Sequence, residues 1–522
     1  MTEKPKQILV YDTTLRDGCQ AEGVAMTLED KLEVAERLDE LGVHYIEGGY
    51  PLSNPKDEEF FRRAPELKLR KAKICAFGST RRADSAAGED SGLRALLEAE
   101  TPVVTIVAKA WDYHVTEVLR TSLEENLRMV EDSVRLLKEA GREVVFDAEH
   151  FFDGHASNPD YALEVCRVAA EVGADCVVLC DTNGGALTDE VGRLTGRMVE
   201  ELECPVGIHC HNDSGLGVAN TVAAVQNGAV HVQGTLNGLG ERVGNADLCS
   251  IMAIINLKTP YRCVSDEELQ KLTEASRFAY EAANLMYNPH QPFVGASAFA
   301  HKGGLHVDAM RKADAAYEHI DPALVGNERR FLLSELSGHA SMLAKVEKYN
   351  ITHDRETVSE LLNRLQTREN EGYQFEAAEA SFELLARKVT GRFQPHFDVK
   401  SYHVSCIRQS DGQLVTDATV KLAVNGELMH TASEGDGPVN ALDGALRKAL
   451  EPHYPALKQM RLTDYKVRVI NPKAATAARV RVVIQSTGGG RVWGTVGVSE
   501  NIIDASWEAL LDSVEYTLSM QE

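Results

Sequence analysis

Eight short runs rich in apolar and β-branched residues recur in the first 240 residues, and amphipathic segments separate most of them. The runs are QILVYD, VHYIEGG, AKICAFG, PVVTIVAK, EVVFDAE, DCVVLCD, PVGIHCH and VHVQGTLN. The segments between them, such as LEDKLEVAERLDELG and DYALEVCRVAAEVG, have helical periodicity, and several end in the glycine expected after a helix. This alternation predicts an α/β fold, a (β/α)8 TIM barrel over residues 1–265.

A doubly wound parallel sheet is the competing topology. Its usual mark is a GxGxxG turn after the first strand, whereas this chain has DTTLRDG there. The barrel is therefore favoured, and in such barrels the chemistry lies where the strands end.

The pattern changes twice after residue 265. Residues 266–394 are mainly helical in pattern, but GASAFAHKGGLHVDAMRKADAAYEHI interrupts them and is too rich in His and Lys for simple core. We predict a helical linker that carries functional residues. Residues 395–522 show β-type segments followed by amphipathic helices, and TASEGDGPVNALDGALRKAL repeats at an offset of 64 as TVGVSENIIDASWEALLDSV. This predicts a duplicated α+β domain, whose cleft serves either a small ligand or dimerisation.

Composition excludes several classes of partner. Lys and Arg number 55 against 79 Asp and Glu, a net charge of −24, which argues against nucleic acid and against an anionic membrane surface. The ten cysteines form no CxxC, and no stretch approaches 18 apolar residues. The N-terminus lacks the apolar run of a signal peptide. We therefore expect a cytoplasmic protein with reduced thiols.

The motif HCHND places His209 and His211 at the end of the seventh run. Because strand side chains alternate, both rings lie on one face. A carboxylate from another strand end, such as Asp17 in DTTLRDG, would complete an N2O site for Mg²⁺, Mn²⁺ or Zn²⁺ with positions open for substrate. The alternative is a pair of hydrogen-bonded histidines. Arg16, next to Asp17, either points at the same ligand or forms a surface ion pair.

Other strand ends supply further candidates. Asp147 and Glu149 follow the fifth run and can act as a general base or bind polar groups of a substrate. Asn245, in GERVGNAD, is either an oxygen ligand or a turn residue. Three parts of such a site work together: a divalent metal polarises a 2-oxo acid, an arginine stabilises the resulting oxyanion, and a base deprotonates a carbon acid. This combination predicts metal-dependent aldol or Claisen chemistry.

Three longer motifs resemble the signatures of the 2-isopropylmalate synthase and homocitrate synthase family: YDTTLRDGCQ, HCHNDSGLGVANTVAAVQNGA and GTLNGLGERVGNADL. The C-terminal repeat resembles that family's amino-acid-sensing domain. CAFGSTRR, VVFDAEHFFDG, DTNGG and HKGGLHVDAM are most similar to the longer type of citramalate synthase. The resemblance covers essentially the whole chain. It implies condensation of acetyl-CoA with pyruvate and water to (R)-citramalate and CoA, on a route to isoleucine.

The resemblance also implies roles for individual residues. The implied metal ligands are Asp17, His209 and His211, with Asn245 nearby or completing the set. Arg16 becomes the oxyanion stabiliser, Glu149 the catalytic carboxylate and Thr182 the binder of the 2-oxo acid's carboxylate, while Asp147 lies in the substrate pocket, where the shorter type has an aromatic residue. In the linker, His306 and Tyr317 are implied catalytic residues and Asp308 an implied substrate-binding residue, all reaching the partner subunit's active site. A homodimer or larger assembly follows, with a branched-chain amino acid, isoleucine, as effector.

Three alternatives remain at this point. The same machinery could accept 2-oxoisovalerate or 2-oxoglutarate, as in 2-isopropylmalate synthase or homocitrate synthase, or run in reverse as a 3-hydroxy-3-methylglutaryl-CoA lyase. The sensing repeat disfavours the lyase, which has no reason to respond to a branched-chain amino acid. A regulator with an inactive barrel would have lost some of the catalytic residues. All of Arg16, Asp17, Glu149, His209 and His211 are present.

Overall fold

The computed structural model describes residues 6–301, 306, 309–310, 312–313, 316–331, 355–375, 378–410, 412–470, 478–489 and 491–520. The chain divides into two compact units. The first comprises Met1–Phe299 and His319–Arg329, and the second comprises Ala300–Glu318 and Arg330–Glu522. Among the described helices, none has the length and apolar character that a bilayer crossing needs.

Eight parallel strands close into a barrel in the first unit, as the sequence predicts. They follow one another in chain order, and β1 pairs with β8 to close the ring. The strands are β1 (Leu9–Asp12), β2 (Tyr45–Gly49), β3 (Lys73–Ser79), β4 (Val103–Lys109), β5 (Glu143–Glu149), β6 (Cys176–Asp181), β7 (Val206–Cys210) and β8 (His231–Gly234). Each lies within the apolar run that predicts it or differs from it by a residue.

Helices alternate with these strands. They are α1 (Leu28–Glu40), α2 (Pro55–Arg63), α3 (Ser91–Glu98), α4 (Leu123–Glu139), α5 (Phe151–Ser157), α6 (Pro159–Glu171), α7 (Thr188–Glu201), α8 (Gly217–Gln226), α9 (Leu248–Lys258), α10 (Asp266–Leu269) and α11 (Leu272–Ala282). A π-helix, His114–Leu119, lies between β4 and α4. The start of α1 shows why the boundaries lie where they do, because Thr27 and Asp30 form a reciprocal capping box there.

Side-chain alternation along the strands determines what enters the barrel. On β5, Val144, Phe146 and Ala148 belong to the core between strands and helices, whereas Val145 belongs to a separate cluster inside the barrel. The period of two therefore directs Asp147 and Glu149 to the inside as well, at the end of the strand where a TIM barrel carries its chemistry.

The second unit contains two three-stranded antiparallel sheets. The strands are β11 (Asp398–Arg408), β12 (Leu414–Val424), β13 (Glu427–Gly435), β14 (Arg461–Val469), β15 (Val480–Gly488) and β16 (Arg491–Ser499), after a short parallel pair, β9 (Ala300–His301) and β10 (Arg330–Phe331). The helices are α12 (Arg355–Asn370), α13 (Glu379–Val389), α14 (Pro438–Leu450) and α15 (Ile502–Ser519).

One hydrogen bond recurs at the offset of the predicted repeat. Thr431 on β13 donates its hydroxyl to the carbonyl of Ala445 on α14, and Thr495 on β16 donates to Ala509 on α15, both at 2.7 Å. Each three-stranded sheet thus binds its following helix through the same contact. The α+β duplication read from few identities is present in three dimensions.

A half-buried carboxylate, Asp512, lies where α15 packs against α13. Asp512 accepts a hydrogen bond from Ser381 at 2.7 Å, and its other oxygen lies 3.9 Å from the Lys388 ammonium. Burial raises the pKa of Asp512 to about 6, with Glu508 and Glu515 of the same helix adding to the rise. Ionisation of Asp512 therefore costs folding free energy.

The predicted domain boundaries at residues 265 and 394 stay a prediction. Within 266–394, α10 and α11 belong to the first unit, whereas α12 and α13 belong to the second. His301 is buried, and its Nε2 atom lies 3.0 Å from Glu318 Oε1.

Candidate active site

Three potential metal ligands meet at the mouth of the barrel. His209 is near the end of β7, His211 lies just beyond it, and Asp17 is in the loop after β1. One ligand atom from each lies within 4.8 Å of the other two, and His209 Nε2 is 3.3 Å from Asp17 Oδ2. All three side chains are buried, and a buried carboxylate such as Asp17 requires a partner of opposite charge or a metal ion.

Two unsatisfied atoms test whether this cluster fits a metal ion. Asn245 donates through Nδ2 to Asp17 at 2.7 Å, so its Oδ1 remains as an acceptor beside the cluster. Within the described part of the chain, Asn245 Oδ1 and His211 Nδ1 are buried and have no hydrogen-bond partner. Unsatisfied buried groups are costly. A divalent cation would satisfy both, and two imidazoles with two oxygens form a suitable donor set.

The charges in the cluster suit cation binding. Burial opposes the charge of Asp17, but Arg16 and His209 outweigh it and hold the pKa of Asp17 well below its usual range. Burial lowers the pKa of His211 to about 4, so its ring is neutral at physiological pH. Burial would also lower the pKa of His209, but the interaction with the Asp17 carboxylate raises it. The ionised Asp17 carboxylate thus places a negative charge beside the two imidazole rings, which favours binding of a cation there.

Gln233 orients His209 from behind. The Gln233 Oε1 atom accepts from His209 Nδ1 at 2.8 Å, and Gln233 Nε2 donates to Asp147 Oδ1 at 3.0 Å. The amide has one accepting and one donating end, so this arrangement keeps the proton on Nδ1 and leaves Nε2 facing Asp17. Burial raises the pKa of Asp147 to about 7.

Arg16 is fixed from the barrel interior. Its Nε donates to Glu47 Oε1 at 2.5 Å, and its guanidinium lies 4.0 Å from the centre of the Phe77 ring. Glu47 is fully buried and also accepts from the Tyr11 hydroxyl at 2.6 Å. Burial opposes the charge of Arg16, but Asp17 and Glu47 outweigh it and raise its pKa. With Nε held by Glu47, the Nη1 amino group lies 3.6 Å from Asp17 Oδ1.

Glu149 and Thr182 complete the mouth. Glu149 forms an ion pair with Lys109, and both side chains are about one fifth exposed. Thr182 Oγ1 accepts from the backbone N–H of His150 at 2.9 Å, which leaves the hydroxyl proton available for a substrate. Arg242 binds the Thr182 carbonyl at 2.8 Å and ties the loop after β8 to the end of β6.

These groups surround one cavity of about 300 Å³, which we call the mouth cavity. Its lining comprises Arg16, Asp17, Gln20, Phe77, Val107, Lys109, Asp147, Glu149, Cys180, Thr182, His209, His211, Glu241 and Arg242. Every barrel residue predicted for the site lines it, except Asn245, which contacts two of the lining residues.

The residues predicted in the linker are His306, Asp308 and Tyr317. His306 and Tyr317 belong to the second unit, where both are exposed and their rings stack with centroids 4.0 Å apart. Asp308 lies outside the described residues. The roles implied for these three residues stay predictions.

Sequence reasoning assigned no role to Glu47, Phe77, Lys109, Gln233 or Arg242. Glu47 and Lys109 carried a signal, since each is a charged residue at the end of an apolar strand run. Gln233 is a polar residue inside the run VHVQGTLN, which also marks it. Phe77 and Arg242 look like ordinary core and loop residues in the sequence.

Comparison with known proteins agrees with this arrangement. The HMGL-like family model matches residues 7–279, the homocitrate synthase post-HMGL domain-like model residues 293–372, and the LeuA allosteric (dimerisation) domain model residues 376–518. The chain is 52% identical to an (R)-citramalate synthase of Geobacter sulfurreducens, over 99% of this chain and 98% of that protein. It is 51% identical to an (R)-citramalate synthase of Aquifex aeolicus, over 99% of both. A 2-isopropylmalate synthase of Methanocaldococcus jannaschii is 30% identical, over 99% of this chain and 96% of that protein.

The relatives match this chain over nearly its full length, and the residues of the mouth cavity agree with their type of enzyme, a condensing acyltransferase. The chain belongs to the HMGL-like family and, within it, to the family of the (R)-citramalate synthases.

Proposed function

We propose that this protein catalyses the metal-dependent Claisen condensation of acetyl-CoA with pyruvate and water, giving (R)-citramalate and CoA. The observation that carries the proposal is the mouth cavity, which gathers a metal-ligand set, a fixed arginine and a carboxylate base within about 300 Å³. A volume of this size suits a small 2-oxo acid. The relatives at about 50% identity favour pyruvate over the larger acceptors.

Asp17, His209 and His211 would hold the divalent ion, Mg²⁺, Mn²⁺ or Zn²⁺, with Asn245 Oδ1 beside them. When bound, such an ion polarises the ketone of a 2-oxo acid and orients it.

The protein's own residues then divide the work. Arg16, held by Glu47, donates to the ketone oxygen as negative charge develops there, and its fixed position avoids reorganisation during the reaction. Thr182 donates its hydroxyl to the carboxylate of the 2-oxo acid. Glu149 removes a proton from the methyl group of the acetyl donor. Asp147 lines the acceptor pocket and limits its size.

The remaining parts of the proposal concern the second unit and the assembly. We assign His306 and Tyr317 to catalysis and Asp308 to substrate binding in the partner subunit's site, which requires a homodimer or a larger assembly. The matched LeuA allosteric (dimerisation) domain supports regulation and oligomerisation, and we propose isoleucine as the effector because the product leads toward it. All ten cysteines are free, as expected in the reducing cytoplasm, where we place the protein.

Release of CoA, followed with a thiol reagent, tests the activity. The assay contains acetyl-CoA and Mg²⁺ or Mn²⁺, with pyruvate, 2-oxobutyrate, 2-oxoisovalerate or 2-oxoglutarate in separate wells, each with and without EDTA. We expect a chelator-sensitive preference for pyruvate. Preference for 2-oxoisovalerate or 2-oxoglutarate would instead identify a 2-isopropylmalate or homocitrate synthase, and silence in every well would refute the condensation.

The same assay tests regulation of the full chain. Isoleucine, leucine and valine are added separately at equal concentration, and we expect isoleucine to inhibit most strongly. Equal inhibition by all three, or none by any, would refute isoleucine as the effector.

A further inference from the structure

A second cavity adjoins the mouth cavity between the ends of β3 and β4. It measures about 420 Å³, and we call it the side cavity. The residues lining both cavities are Val107, Lys109 and Glu149. The side cavity is otherwise lined by Ser79, Thr80, Arg81, Arg82, Ala83, Asp84, Ala108, Leu119, Thr121 and Met129. A molecule in the side cavity can therefore reach the proposed base without occupying the acceptor pocket.

The lining suits a flexible, mainly apolar chain rather than a carboxylate. Leu119, Met129 and Val107 contribute apolar surface, and Ser79, Thr80 and Thr121 contribute hydroxyl groups. The charged side chains beside them are engaged in ion pairs where the structure shows partners, and Arg82 lies 3.5 Å from Asp90. Arg81 is already engaged by Glu125 and Asp132, both at 2.8 Å. The pantetheine arm of an acyl thioester has this mixed character, with methylene groups, amides and a sulfur atom.

Lys109 and Glu149 are held together at the junction of the two cavities. They are register partners at the ends of β4 and β5, and their side chains form an ion pair. The Glu149 carbonyl accepts from Ala110 N–H at 3.0 Å, and the Lys109 carbonyl accepts from Asn126 Nδ2 at 2.9 Å. An ammonium group has three donors, so Lys109 can bind Glu149 and a ligand oxygen at once.

Deprotonating a thioester methyl group requires a donor at the thioester oxygen. The carbon acid is far weaker than the carboxylic acid that Glu149 becomes, so the enolate forms only if its charge is stabilised where it develops. Arg16 already pairs with Glu47 and Asp17, and in the proposed condensation its remaining donors serve the ketone oxygen of the 2-oxo acid. Lys109 is the cation that contacts Glu149 and faces both cavities.

We propose that the side cavity receives the thioester end of the acyl donor, and that Lys109 is a catalytic residue that hydrogen-bonds the thioester carbonyl oxygen. This inference rests on the proposed condensation. Glu149 takes the proton from the methyl carbon, the C–H electron pair forms the enolate C=C bond, and the carbonyl π electrons move to the oxygen held by Lys109. The enolate carbon then attacks the ketone carbon of the 2-oxo acid, and the thioester C=O bond re-forms as the ketone π electrons move to the ketone oxygen. That oxygen takes up a proton and becomes the hydroxyl group, which balances the proton removed by Glu149. Water finally hydrolyses the thioester and releases the thiol.

Two substitutions test the location and the role separately. Leu119→Trp fills the side cavity, and Val118→Trp is its matched control, because Val118 is 56% exposed and does not line the cavity. We expect Leu119→Trp to raise the Kd for CoA, measured by calorimetry on the full chain, at least tenfold. Val118→Trp should stay within twofold of the wild type. Unchanged CoA binding by Leu119→Trp, with its fold intact by circular dichroism, would overturn the location.

Lys109→Met tests the role. We expect kcat to fall roughly 10²–10³-fold, the loss typical of one missing oxyanion donor. The Kd for CoA and for Mn²⁺ should stay within about threefold, and the isotope effect with methyl-deuterated acetyl-CoA should rise because proton removal becomes slower. A kcat within fivefold of the wild type, or an isotope effect that does not rise, would overturn the assignment. Wild-type protein that binds CoA but releases none from acetyl-CoA and pyruvate would refute the proposed function, while CoA binding to Leu119→Trp would still decide the cavity.

Discussion

Gln233 offers a sharp test of how the barrel interior controls the proposed metal site. Its amide bridges His209 Nδ1, at 2.8 Å, and Asp147 Oδ1, at 3.0 Å, and its side chain is fully buried. Replacement by Leu keeps a similar volume but removes both hydrogen bonds. The His209 ring then loses the acceptor that fixes its tautomer and orientation.

The expected loss of metal affinity can be estimated from this geometry. Partners that orient a metal-ligating histidine are typically worth 10–100-fold in affinity, which corresponds to roughly 1.4–2.8 kcal/mol. Gln233→Glu keeps an acceptor for His209 but places a carboxyl group against Asp147. Its affinity should therefore lie between those of the wild type and Gln233→Leu.

Titration of metal-free protein with Mn²⁺, followed by electron paramagnetic resonance, measures the affinity directly. Gln226→Leu, on the exposed end of α8, is the matched control and should bind Mn²⁺ as the wild type does. If Gln233→Leu retains wild-type Mn²⁺ affinity and melting temperature, His209 is not oriented by Gln233 and the reasoning fails.

Further substitutions probe the mouth cavity and the second unit. His209→Ala should abolish chelator-sensitive CoA release while circular dichroism shows an unchanged fold, because strand bodies rather than mouth residues carry the packing; unfolding at 25 °C would contradict this. Glu47→Gln should lower kcat/KM for the 2-oxo acid roughly 10–100-fold because it loosens Arg16, while the Mn²⁺ affinity measured by titration stays within about threefold of the wild type. An equal loss of Mn²⁺ affinity would show that the substitution disturbs the proposed metal site instead. Burial raises the pKa of Asp512 to about 6, so its carboxyl group binds a proton more readily in the folded state than in the unfolded state. The contribution of Asp512 to stability therefore falls as pH rises from about 4 to 6. Asp512→Asn should therefore raise the free energy of unfolding at pH 8 by about 2 kcal/mol, and with it the melting temperature, but should leave both unchanged at pH 4. Calorimetry that shows no gain at pH 8 would contradict the burial cost.

The barrel and its mouth could be predicted because both depend on short-range patterns. The period of two along a strand places Asp147 with Glu149, and His209 with His211, and eight alternating units leave few topologies. Contacts across strands could not be predicted in the same way. The Arg16–Glu47 pair joins a loop after β1 to the interior of β2, and the Gln233–Asp147 pair joins β8 to β5 across the barrel. Both depend on the three-dimensional closure of the barrel, which no local pattern encodes.

The Arg16–Glu47 and His209–Gln233 hydrogen bonds help the site to keep its geometry in the same way. Arg16 lies in the loop after β1 and His209 near the end of β7, and each is hydrogen-bonded to a fully buried group, Glu47 or Gln233, inside the barrel. A buried polar group that loses its partner costs more than an exposed one, so each pair resists displacement more strongly than a surface contact would. The Arg16 and His209 side chains are thus positioned by buried groups on the barrel strands as well as by their own backbone. Substitutions in the polar interior should consequently impair chemistry more than substitutions of equal size in the mouth loops.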